Sequence, residues 1–343
     1  MSLRSVSYRS RQRIRKGVKI GLIVLAFVLL LLALTVIFMG RFVVYTPEGA
    51  RLDFGRSTAK DVTVPKDSAG QETLPPVTIS YADPNARTDA TELVSGYYID
   101  LEMLQDPESV LEAVKALNGP CTVMIDLKGA NGSFYYTSSI DGARQADINI
   151  AAVDAVISNL RSRGFRMVAR VKTFQDSNFA LAHINSSLRV RSGALWVGNG
   201  FYWLDPADST IRAYLKQIAR ELTEKGFQEI VFDDFRFPNG TQIVYTSELS
   251  RAELIADVEK DLLNFFASSS ITISFGNPSS DFVLTGRSHV YVSDVTGSGV
   301  KAVVTGYGGL EDPQTQLVFL TGSKDRRFDG LQLLRPLVSK LVQ

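Results

Sequence analysis

The chain has 343 residues, 45% hydrophobic and 21% charged, which is enough for one large core with appendages. Its 37 basic and 36 acidic residues give a net charge of +1, but Arg4, Arg9, Arg11, Arg13, Arg15, Lys16 and Lys19 crowd the N-terminus with no acid among them. The remainder is mildly acidic, which excludes a basic nucleic-acid-binding face on the folded part. Cys121 is the sole cysteine, so no internal disulfide is available, and as it opens an apolar strand it reads as a buried, inert thiol. His183 and His289 lie far apart in sequence and leave little for a zinc site or a serine–histidine triad. Neither a metal nor a cofactor is expected.

The basic tail, residues 1–19, precedes Ile20 to Gly40, an uncharged apolar run. At about 1.5 Å per residue it matches the roughly 30 Å of bilayer hydrocarbon. It reads as a signal-anchor helix, with a cleaved signal peptide as the alternative. The positive charge before it and the lone Arg41 after it place the N-terminus in the cytoplasm and the rest outside the cell membrane. Residues 41–92 read as a stalk. Phe42–Tyr45 and Gly49–Phe54 have the pattern of a small hairpin, and Pro75-Pro76 and Asp83-Pro84 punctuate a polar spacer.

From residue 93 to 343 strands and helices alternate. Gly96–Ile99 predicts a first strand, and Asp106–Leu117 a helix capped by Asp106 with Pro107 in its first turn. Thr122–Leu127 and Arg166–Val171 predict strands around a helix over Asn149–Arg163, and a helix over Thr210–Lys225 leads into a strand starting at Glu229. Beyond it come a helix at Arg251–Phe266, strands at Ile271–Phe275, His289–Val292, Lys301–Thr305 and Gln316–Leu320, and a closing helix at Leu331–Val342. Eight strands in about 250 residues predict an α/β fold of the (β/α)8 TIM-barrel type. The short late connections predict degenerate last units. An open doubly wound sheet is the competing fold, but Asp100-Leu-Glu-Met-Leu104 supplies no glycine-rich phosphate turn after the first strand.

Charge gathers where strands end. Alternation puts Thr122, Met124, Asp126 and Lys128 on one face, so Asp126 and Lys128 are expected at the same rim, as a ligand pair or as a structural ion pair. Arg170 and Lys172 share a face of the next strand. In Glu229–Pro238, two carboxylates and a guanidinium follow an apolar strand, with Asp234 expected to point opposite to Asp233 and Arg236 near the turn-out. Paired carboxylates suit glycoside cleavage, one protonating the leaving oxygen and the other attacking or stabilising the cationic sugar. A partner for Asp233 must come from another strand: Asp294 first, Asp126 next, with an ordinary loop carboxylate the plain alternative for Asp294. Trp196 and Trp203 lie in an aromatic segment after the third strand, where they would stack a sugar ring or close a loop with a hydrophobic mini-core. Asp205-Pro206 reads as a turn that starts the following helix.

Ile125–Lys128, Ala169–Asp176, Trp203–Pro206 and Gly226–Pro238, in that order, resemble the successive motifs of the "putative glycosyl hydrolase domain" family of bacterial, often membrane-anchored barrels related to α-amylase-like glycosidases. The resemblance spans residues 94 to 240. It implies a (β/α)8 barrel with Asp126, Lys128, Arg170, Asp233 and Arg236 at a carbohydrate site, and its third motif adds Asp205 as a substrate-binding candidate. The family usually has an aromatic residue where this chain has Asp234, which favours Asp233 as the catalytic carboxylate. After Pro238 the chain lacks the proline- and tyrosine-rich loop and tryptophan-bearing final strand of the family. Two functions are therefore carried forward. One is a surface-tethered glycosidase acting on a cell-wall or extracellular polysaccharide. The other is a barrel without turnover that binds carbohydrate or serves envelope assembly.

Overall fold

The computed structural model describes residues 43–46, 49–52 and 93–338, apart from 246, 281 and 285. The chain divides into two compact units, Met1–Tyr81 and Ala82–Gln343. In the first, Val43–Thr46 pairs antiparallel with Gly49–Leu52, the hairpin expected there. The predicted span, residues 20–40, lies outside the described residues, among which no helix is long and apolar enough to cross a membrane.

The second unit is a closed barrel of eight parallel strands. In chain order they are β1 (Ser95–Ile99), β2 (Thr122–Lys128), β3 (Arg166–Lys172), β4 (Glu229–Asp233), β5 (Thr272–Gly276), β6 (Val290–Ser293), β7 (Leu317–Leu320) and β8 (Gln332–Pro336). Each pairs with the next, and β8 closes on β1 through Leu333↔Ser95 to Pro336↔Tyr98. Closure removes the exposed edges an open sheet would leave.

The crossovers are helical early and degenerate late. The helices α1 (Pro107–Lys115), α2 (Ile150–Ser162), α3 (Ser177–Ala182), α4 (Ser209–Glu224) and α5 (Arg251–Phe266) cover β1 to β5. Their starts follow from side chains that take up orphan backbone donors: Asp106, Asn149, Asp176 and Asp208 cap the first four, and Ser250 with Glu253 forms a capping box on α5. Between β5 and β6 there is no helix among the described residues, α6 (Val300–Gly306) and α7 (Pro313–Gln316) are short, and only a 3-10 turn separates β7 from β8.

Two predicted elements exchange identity. Lys301–Thr305 is helical, because Val300, Val303, Val304 and Tyr307 recur at the i, i+3, i+4, i+7 spacing and bury one face, whatever their β-branching suggests. Of the expected closing helix, Gln332–Pro336 is strand β8 instead and residues 339–342 lie outside the described residues: Gln332 and Leu334 are buried alternately with less buried Leu333, and Pro336 sits at the strand end, where it costs no helical hydrogen bond.

Alternation sorts the strand residues into two cores. Val123, Ile125 and Leu127 of β2, with Met167, Ala169 and Val171 of β3, pack outward under the helices. Met124, Val168, Val231, Tyr291, Val318 and Leu334 fill the barrel interior. Towards the N-terminal end of the strands the interior turns polar: Glu229 holds Arg166 at 2.7 Å, His289 at 2.9 Å and the Ser274 hydroxyl at 2.6 Å. Paired and hydrogen-bonded, these buried charges form a plug below the apolar layer.

Candidate active site

The same alternation delivers Asp126, Arg170, Lys172 and Asp233 to the opposite, C-terminal rim. Arg170 grips Asp126 bidentately, Nε to Oδ1 at 2.6 Å and the terminal nitrogen to Oδ2 at 2.7 Å. Lys172 Nζ lies 2.8 Å from Asp233 Oδ2 and also binds Asp234, whose other oxygen lies 3.4 Å from Arg236. Acid and base thus alternate along a row from Asp126 to Arg236. Above it opens a cavity of about 250 Å³, lined by Tyr98, Asp100, Arg170, Lys172, Asp233 and Asp294, with Ser293 and Leu320. That is slightly below the ~300–1,000 Å³ usual for drug-sized ligands, a size suited to a single ring.

The charges set the protonation of the row. Burial pushes Asp233 up, but the charges of Arg170 and Lys172 outweigh it and hold the carboxyl at about 2. Burial dominates for Asp126, which is raised despite Arg170, with the negative charges of Asp233 and Asp100 adding to the rise. Burial lowers Lys172, yet Asp233 and Asp234 reverse this and keep it firmly protonated. The two carboxylates nearest Arg170 are therefore driven in opposite directions.

The rim backbone is unusual. Asp234, Asn277 and Asp294, the residues immediately after β4, β5 and β6, all have left-handed φ, at 50°, 44° and 59°. Asp and Asn tolerate this region better than other non-glycine residues, and such conformations concentrate at functional sites. Asn277 Nδ2 donates to Asp233 Oδ1 at 3.1 Å and to Ser293 Oγ at 3.1 Å. Gly276 makes room for this: a Cβ there would lie 2.4 Å from Asp233 Oδ1.

The structure brings together Asp126, Arg170, Asp233, Asp234 and Asp294, and separates the other candidates. Lys128 does not reach the rim beside Asp126, because a β-bulge between them breaks the alternation. Its Nζ is fully buried, 2.8 Å from Asp176 Oδ2, and donates to the Lys172 carbonyl, leaving no surface for a sugar. Asp234 does not point away from Asp233, since its left-handed backbone ends the strand geometry and both carboxylates converge on Lys172. Arg236 sits at the end of the row, partly exposed, but does not line the cavity.

Trp203 is buried, donates Nε1 to the Gly198 carbonyl and stacks edge-on against the half-buried Trp196 at 5.7 Å. This is the mini-core reading, and neither ring lines the cavity. Asp205 is buried and accepts the Ala207 N–H, closing the turn expected of it. Lys172, which the strand pattern placed on one face with Arg170, is the cation on Asp233, while sequence reasoning passed over Tyr98, Asp100 and Asn277. The available signal was position: Asp100 and Asn277 directly follow barrel strands, and Tyr98 is the penultimate residue of β1.

A closed parallel barrel whose C-terminal rim carries buried carboxylates, cations and a ring-sized cavity defines a TIM-barrel protein with an enzyme-like site. The chain belongs to the family described as "Putative glycosyl hydrolase domain", whose model matches residues 96–275. That stretch holds β1 to β5 up to Phe275 and every rim charge except Asp294. Among solved structures, a hypothetical protein from Ruminiclostridium thermocellum is 24% identical, with 52% of this chain and 96% of that one covered and a TM-score of 0.46. The galactosidase domain of an α-galactosidase–sucrose kinase is 12% identical over 74% of this chain, with a TM-score of 0.50, and the α-galactosidase from Lactobacillus brevis 11% identical over 73%, at 0.49. The match covers only 38% of each galactosidase chain, and the likeness to the galactosidase domain is one of barrel fold. No curated protein matches.

Proposed function

We propose that the protein is a glycoside hydrolase acting on a carbohydrate polymer outside the cell, held at the membrane by the apolar segment 20–40, with its N-terminus in the cytoplasm. The observation that carries the reading is Asp233: a buried carboxylate at the cavity mouth, fixed on one oxygen by Lys172 and on the other by Asn277, and kept ionised by its cationic neighbours. An ionised carboxylate in that position is suited to attack the anomeric carbon or to stabilise the oxocarbenium-like transition state. Asp294, on the same cavity, serves as proton donor to the leaving oxygen. Asp126 suits that role less, because Arg170 occupies both its oxygens. Arg170 and Lys172 orient the carboxylates and offer hydrogen bonds to sugar hydroxyls.

The cavity's two cations are already neutralised. Asp100 and Asp294 form no salt bridge among the described residues, which supports an uncharged or cationic ring over a uronate. The family membership and the barrel fold it shares with a galactosidase domain support carbohydrate as the substrate class.

The test is to incubate the full chain, wild type, Asp233→Asn and Asp294→Asn, with a panel of cell-wall and extracellular glycans and to measure released reducing ends. Release by the wild type that falls by orders of magnitude in Asp233→Asn supports the proposal. Equal release by both removes Asp233 from the chemistry, and tight glycan binding without release points to the non-catalytic, carbohydrate-binding reading.

A further inference from the structure

We propose that Asn277 is the positioning residue of this site: it fixes Asp233 from the β5 side and, through Ser293, ties it to Asp294, joining the ends of three successive strands. The proposal rests on the reading of Asp233 as the working carboxylate.

The geometry leaves Asn277 little freedom. Its Oδ1 accepts the Ser293 backbone N–H at 3.1 Å, and since a peptide N–H can only donate, the amide orientation is determined. Nδ2 must then face Asp233 Oδ1 and Ser293 Oγ, and it bonds both at 3.1 Å. Ser293 Oγ in turn lies 3.3 Å from Asp294 Oδ2. The Asn277 N–H donates to the Tyr291 carbonyl at 2.8 Å, so the backbone is anchored to β6 as well. The left-handed φ of 44° is what turns the side chain back over the rim between β4 and β6.

A carboxylate attacking an anomeric carbon needs one oxygen directed at that carbon, with rotation about the Cβ–Cγ bond arrested. Lys172 holds Oδ2 from β3, and Asn277 holds Oδ1 from β5. Gly276 leaves room for this seating, since a Cβ there would collide with Oδ1. An asparagine can serve here where an aspartate cannot. The other ionisable groups around Asp233 are Arg170 and Lys172 from β3, its neighbour Asp234, Asp126 from β2, Asp100 after β1 and Asp294 after β6, so one more negative charge would weaken the hold on the ionised form.

The deciding variant is Asn277→Asp in the full chain. It keeps the size, tolerates the left-handed backbone and still accepts the Ser293 N–H, but it presents an anion to Asp233 instead of a donor. Carbon-13 NMR of labelled aspartate carboxyls, with the Asp233 resonance assigned by its loss in Asp233→Asn, is expected to show Asp233 titrating about one unit or more above the wild-type value. The acid limb of kcat/KM is expected to move up in step, with kcat falling about 10²-fold and KM little changed. Asn277→Gly, which keeps the backbone and removes the donor without adding charge, is expected to show a smaller rise and provides the test if the aspartate variant does not fold. An Asp233 titration identical to wild type in a folded Asn277 variant would overturn the proposal. If the wild type cleaves no glycan the hydrolase reading fails, yet the NMR titration still decides whether Asn277 governs Asp233.

Discussion

Replacing Lys128 by methionine separates a structural lysine from a substrate ligand. Its Nζ is fully buried, 2.8 Å from Asp176 Oδ2 and 2.9 Å from the Lys172 carbonyl, and lies 5.7 Å from the centroid of the Tyr214 ring. Asp176 keeps the Tyr214 hydroxyl at 2.9 Å and the Phe179 N–H at 2.8 Å when the lysine goes, but it loses its only counter-charge among the described residues. Leaving a buried carboxylate without its cation costs about 3–5 kcal/mol. For a domain of this size about 2–4 °C accompanies each kcal/mol, so Lys128→Met is expected to lower Tm by roughly 6–20 °C. Adding Asp176→Asn removes the stranded charge, and the double variant should recover much of the loss, with a coupling of about 0.5–3 kcal/mol in the double-mutant cycle. Thermal and urea unfolding of the four proteins, followed by circular dichroism, measures this. A Lys128→Met protein within about 0.5 kcal/mol of wild type that no longer handles glycan would show that Nζ meets substrate, and would refute the assignment.

Three further outcomes follow from the rim. Gly276→Ala places a methyl 2.4 Å from Asp233 Oδ1 and 3.0 Å from its Cα, so it should cost about 1–3 kcal/mol in urea unfolding and reduce glycan turnover at temperatures where the variant is fully folded. Asp233, held at about 2 when folded against 3.8 when unfolded, contributes about 2 kcal/mol that is present above pH 4 and lost as the pH falls through 2. Unfolding measured from pH 5 to 2 should therefore show a shallower acid decline in Asp233→Asn than in wild type. Arg170→Lys breaks the two-point grip on Asp126, because an ammonium offers no planar fork, and should cost about 1.5–3 kcal/mol in the same assay.

The first five strands and the helices over them were legible because periodicity and capping agree there: Asp106, Asn149 and Ser250 cap helices that begin within a residue of the expected place. The last third was harder. Short elements offer one or two turns of pattern, so Val303 and Val304 read as a strand by type while helical by spacing, and the stretch from Leu331 read as a closing helix while Gln332–Pro336 is a strand. The two errors cancelled in the strand count. At the site, the residue types at strand ends identified Asp126, Arg170 and Asp233. What alternation could not foresee was the places where it fails: the bulge that turns Lys128 toward Asp176 at the start of α3, and the left-handed residues that bring Asp234 onto Lys172 and Asn277 onto Asp233. The Gly276-Asn277 pair after an apolar strand was the one written trace of the second.

The ring being cleaved is expected to lie against Asp233 at the barrel mouth. That placement is tested most directly by a crystal structure of the Asp233→Asn protein with an oligosaccharide that the wild type cleaves. A sugar ring is expected in the cavity between Tyr98 and Asp294, its anomeric carbon within about 3.5 Å of the residue-233 side chain. A glycan seated elsewhere on the barrel, with that cavity holding only water, would contradict it.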